Sequence, residues 1–165
     1  MKDHLQNLVE ALREELKEYS LLLALLGQQQ EMVIHRQTQD LIQCVSRLSS
    51  QVEVLAGTRL EREQRQREVA RALSLPENAS FAALIPQLPG EYQPLVEALV
   101  GETNDLLQRI QRRARQNHIL LTRVTDLMQR LLDPFFPGSQ SRTYNDEGLV
   151  LGAGFPQRSL YDAVS

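Results

Sequence analysis

Through the second half of this chain, Val96, Val100, Thr103, Leu107, Ile110, Ala114, Asn117, Leu121, Val124, Met128 and Leu131 follow one another at alternating steps of four and three residues. That spacing places every member on one line of an α-helix and is the pattern of a coiled-coil seam. Leu99, Leu106, Leu120, Leu127 and Leu132 widen the line into a face broad enough for more than one neighbour. A helix from about Glu91 to Asp133 is roughly 60 Å long, beyond what a compact domain of this chain length needs. An apolar face of that length demands partner helices of similar length, so the molecule is expected to be a rod.

One seam position breaks the apolar rule. The amide of Asn117 would sit among leucines and must find a hydrogen-bonding partner or water. Such a residue can fix the register of paired helices at some cost in stability, or it can serve as a polar handle for a partner helix.

Composition agrees with helical seams. The 165 residues contain no Trp, four Phe and four Tyr, so aliphatic seams rather than aromatics must do the packing. A net charge of −3 gives no general basis for nucleic-acid binding, which needs a basic surface to neutralise phosphates. The single Cys44 excludes an internal disulfide and fits a reducing compartment, with cytoplasm the expected location. Leu21 to Leu26 is the longest apolar run of its kind and is too short to span a membrane or form a signal core.

From Asp3, the residues Leu5, Leu8, Leu12, Leu16, Tyr19, Leu23 and Leu26 predict a first amphipathic helix reaching about Ile34. His35, Arg36 and Gln37 mark the reversal, with Thr38 as the expected N-cap and Asp40 close behind it. Neither Gly nor Pro supports that turn, and one unbroken helix through residue 73 is the competing reading. Leu41, Val45, Leu48, Val52 and Leu55 make the second helix the antiparallel partner of the first. Its far end, RLEREQRQREVAR from Arg59 to Arg71, reads as a solvated helix end held by Glu and Arg pairs worth about 0.2–0.5 kcal/mol each, or as an arm for an acidic partner. Pro76 ends this helix, and Ser80 to Leu88 reads as a short helix distorted by Pro86 before a second break at Pro89 and Gly90. Arg109, Arg112, Arg113 and Arg115 then fall mostly off the seam and read as a solvated face, because no aromatic or glycine-rich recognition pattern accompanies them.

Helical grammar stops at Asp133 and Pro134. The remainder holds Phe135, Phe136, Tyr144, Phe155 and Tyr161, more than half of the aromatics, and four of the eight glycines. A sticky tail of this kind either is captured by a partner, as a strand or in a helical groove, or folds back on the seam near Leu131. The fold expected is therefore all-α: an elongated antiparallel helical bundle or coiled coil of three long helices plus one short helix over residues 1–133, with a non-helical tail over 134–165.

Nothing in the chain reads as catalytic machinery. Cys44 lies on a helix beside the Val45 seam position, and no glycine-framed elbow surrounds any serine. Glu31 and His35 share a helix face without a second pair to complete a metal site, so a surface hydrogen bond or ion pair is expected there. His4 and His118 read as isolated, and no phosphate-binding glycine loop occurs. No enzyme, cofactor or metal is expected.

In order and nearly over its whole length, the chain resembles the flagellar export chaperone family FlgN. The features that carry the likeness are the leucine helix running into LLLALLGQQQEMVIHRQTQDLIQCVSRL, the arginine-rich LEREQRQRE, the segment NDLLQRIQRRARQNHILL with Asn104 and Asn117, and TYNDEG followed by RSLYD. The resemblance implies a bacterial cytosolic protein that binds hook-associated proteins of the hook-filament junction before export. It would shield their aggregation-prone terminal helices and deliver them to the flagellar type III export gate, with the export ATPase complex nearby. Client binding is expected in the C-terminal half, with Tyr144, Leu149, Leu151, Phe155, Leu160 and Tyr161 as tail contacts. A generic coiled-coil adaptor, a homodimeric scaffold and a nucleic-acid-binding rod are the alternatives.

Overall fold

The computed structural model describes residues 1–132, and in chain order these form α1 (Lys2–Ile34), α2 (Thr38–Ala72), α3 (Phe81–Leu84), a 3-10 turn (Ile85–Gln87) and α4 (Gln93–Leu132). Three long helices and one short one are thus observed, and no strand occurs among the described residues. No described helix is long and apolar enough to cross a membrane.

The first reversal falls where the sequence places it, although its chemistry differs from the expectation. Thr38 is the first residue of α2 and not its N-cap; Gln37 holds that position, without a side-chain capping bond. Stability at the turn comes from the preceding helix end. Gln37 N–H donates to Met32 O at 2.9 Å and Arg36 N–H to Val33 O at 3.3 Å, closing a Schellman motif with Arg36 at φ 56°. The end of α2 repeats the device: Leu75 N–H donates to Ala70 O at 2.9 Å and Ser74 N–H to Arg71 O at 3.0 Å, with Ser74 at φ 59°. Both turns place a residue with a Cβ where glycine is normally preferred. Ser80 caps α3 by accepting from Ala83 N–H, and Pro86 falls in the 3-10 turn that follows, as the distorted short helix predicts.

The centre of the molecule is α1, not α4. Both α2 and α4 pack along α1 far more than on each other. Leu5, Leu8, Leu12, Glu15, Tyr19, Leu22, Leu26, Gln29 and Val33 are all buried, at steps that alternate three and four over the whole helix. This strict seam replaces part of the expected one: Leu16 and Leu23 are only half-buried, while Glu15 and Leu22 take the core positions. On α2 the buried line is Cys44, Leu48, Leu55, Arg62 and Val69, with Leu41, Val45 and Val52 at its edge.

Cross-helix contacts establish direction. Cys44 meets Leu25, Gln51 meets Glu18 and Arg62 meets Glu15, so α2 runs antiparallel to α1. After the α3 connection, α4 runs parallel to α1, with Asn117 level with Leu26 and Gln29. From that level α1 has only a few residues left before Ile34, whereas α4 continues to Leu132. The last turns of α4 therefore project about 12 Å beyond the α1–α2 turn.

Candidate functional site

The projecting end of α4 carries the seam onward past the ends of α1 and α2, with no helix of the described residues against it. Val96, Val100, Leu107 and Ile110 are buried, yet Val124, Met128 and Leu131, continuing the same four-three spacing, are 38%, 49% and 64% exposed. Leu127, one step to the side, is 59% exposed. Leu120 and Leu121 are half-buried and join this stripe to the core. The hydroxyls of Thr122 and Thr125 donate back to His118 O and Leu121 O, which turns them toward their own backbone. Arg123 and Arg130, seven residues apart, are exposed beside the stripe. Such a surface holds no chemistry for bond making; it can bury an apolar helix face.

A polar clamp stands at the root of the stripe. Asn117 Nδ2 donates to Leu26 O at 2.7 Å and to Gln29 Oε1 at 2.8 Å, and both side chains are nearly inaccessible to solvent. One turn earlier on α4, Arg113 donates to Gln30 Oε1. Asn117 Oδ1 and Gln29 Nε2 make no further hydrogen bond among the described residues, so the pair is only half satisfied.

At the opposite end, the arginine-rich segment departs from its expected role as a solvated helix end. Arg62 is buried, donates from Nε to Glu15 Oε2 at 3.0 Å and from Nη1 to Gln66 Oε1 at 2.8 Å, and lies 5.9 Å from the Phe81 ring centroid. Gln66 passes the connection on by donating to Ala79 O at 2.8 Å, which ties the α3 segment to α2. Burial, followed by the neighbouring Glu15 carboxylate, holds the Tyr19 phenol well above the ordinary tyrosine range. The reason for the correction is legible in spacing: Leu48, Leu55, Arg62 and Val69 recur every seven residues, so Arg62 occupies a seam position. The other charges of the segment behave as expected, in exposed or half-exposed pairs such as Arg59–Glu63 at 3.0 Å and Arg65–Glu61 at 3.2 Å.

Glu31 and His35 form an exposed pair at 3.4 Å, and no group of three or more potential metal ligands occurs among the described residues. His4 is not isolated, lying 3.7 Å from Glu68 across the α1–α2 interface. Cys44 is buried, its thiol pushed up by burial and 3.6 Å from Leu25 O, which makes it a packing residue rather than a nucleophile. Arg109, Arg112 and Arg115 are exposed and Arg113 half-buried. A shallow open groove between α1 and α2, lined by Leu21, Leu25, Arg47, Gln51 and Val54, lies away from the stripe. The six expected tail contacts, Tyr144, Leu149, Leu151, Phe155, Leu160 and Tyr161, lie outside the described residues.

A family model described as FlgN protein matches residues 1–151. Neither the curated proteins nor the solved structures searched give a match.

Proposed function

We propose that this chain, which belongs to the FlgN family, holds a hook-associated flagellar protein before export by docking an amphipathic helix of that client on the projecting stripe of α4. Family membership makes it a flagellar export chaperone in general terms. The finer reading adds the client class, the docking surface and the destination. The observation that supports it most is the continuation of one seam, at unbroken spacing, from buried to exposed between Asn117 and Leu131. A client helix with apolar residues at matching steps completes the bundle that α1 and α2 leave unfinished.

The tail follows directly from this surface. In the proposal Tyr144, Leu149, Leu151, Phe155, Leu160 and Tyr161 extend the contact, and the loaded complex is delivered in the cytoplasm to the export gate and its ATPase complex. Two variants test the docking reading: a chain ending at Asp133, and full-length Leu127→Ser/Leu131→Ser. Both are expected to keep their helical circular dichroism and to bind a purified hook-associated protein at least tenfold more weakly. Unchanged affinity in the double variant would remove the stripe from the interface, and unchanged affinity in the shortened chain would remove the tail. If instead sedimentation shows that a second copy covers the stripe, the chain is a homodimeric scaffold at this surface.

A further inference from the structure

The α1 seam is interrupted by two polar residues, Glu15 and Gln29, two heptads apart. Each faces a polar seam residue on a different neighbour: Glu15 meets Arg62 on α2, and Gln29 meets Asn117 on α4. Elsewhere the seam is aliphatic apart from Tyr19, and aliphatic contacts repeated every seven residues do not distinguish one alignment of parallel helices from the next.

From this matching we infer that Asn117 and Gln29 are positioning residues that hold α4 in the one register leaving its docking stripe uncovered. Consider α4 displaced by one heptad toward the start of α1. Val124 would come level with Leu26 and Gln29, and Leu131 level with Val33, so the stripe would be buried against α1. Val96 would run off the end of α1 in exchange. The displacement would also have to remodel the exposed turn of Pro89, Gly90 and Glu91, where Tyr92 N–H and Gln93 N–H donate to Pro89 O at 2.8 and 3.3 Å and Gln93 Nε2 donates to Leu88 O at 2.8 Å. Apolar burial alone thus does not resist the slip. The amides do: in the displaced register Asn117 would face the fully buried Leu22, and Gln29 would face Val124, leaving two buried amides without partners.

This inference rests on the docking reading only for what the stripe is for; the register itself is a property of the chain alone. The test is a spin-label distance between cysteines replacing the exposed Glu14 and Gln129, in full-length protein carrying Cys44→Ala and without client. The parent gives a single distance. Asn117→Leu and, separately, Gln29→Leu are expected to add or switch to a population about 10 Å shorter, one heptad of helix rise. Ile110→Leu, an apolar exchange in the same seam, is expected to leave the distance unchanged. A single unshifted distance in both amide variants would overturn the inference, as would loss of helical circular dichroism in both, because the displaced register must be a folded alternative. A register that holds while client binding still maps to the stripe would defeat this inference and leave the docking reading standing. A register that slips while the client binds elsewhere would do the reverse.

Discussion

The two ends of the rod are built from the same repeat and finished differently. At the end where α1 begins, three helices and the α3 segment enclose Leu5, Leu8, Phe81, Leu84 and Val96, and the charged seam positions Glu15 and Arg62 neutralise each other inside that enclosure. At the other end α1 and α2 turn back at His35–Gln37 while α4 continues without a neighbouring helix among the described residues, and the same aliphatic spacing is exposed. A heptad pattern therefore states that a helix can be covered. Which part is covered depends on where its neighbours stop, and here the shorter helices end before the last turns of the longest one.

The contrast can be broken most severely at the closed end. Arg62→Ala leaves the Glu15 carboxylate buried without its guanidinium, and a loss of about 3–5 kcal/mol is expected in chemical denaturation. Glu15→Leu/Arg62→Met, which removes both charges, is expected to recover most of that loss. Leu22→Ala, within the enclosed seam, is expected to cost about 2–5 kcal/mol. Ser74→Gly is expected to stabilise by up to about 1 kcal/mol, because glycine relieves the left-handed conformation that closes α2. Leu127→Ala on the stripe sharpens the comparison from the other side: its stability change is expected to stay within about 0.5 kcal/mol, read from the same denaturation curves.

Much of this architecture was legible in the sequence because periodicity and helix breakers carry it. The seam of α4, the leucines of α1, the reversal near His35 and the breaks at Pro76 and Pro89 are all local signals. Three features were not legible, for physical reasons. Arg62 reads as solvated because its charge argues for water, and only its seven-residue distance from Leu55 and Val69 reveals the seam position that Glu15 makes tenable. The Schellman turns lack glycine, so Arg36 and Ser74 give no composition signal. The central place of α1 depends on which helices pack together, and seam length alone does not reveal it. For the candidate site, spacing shows that Val124, Met128 and Leu131 belong to a seam; it does not show that α1 ends before reaching them.

Amide hydrogen exchange along α4 tests most directly whether a client helix lies on the stripe. With a purified hook-associated protein bound, amides from Leu120 to Leu132 are expected to slow by at least tenfold, while those from Val96 to Ile110, already enclosed, change little. Protection confined to the α1–α2 groove, or a stripe that exchanges as fast with client as without it, would contradict the docking of the client on α4.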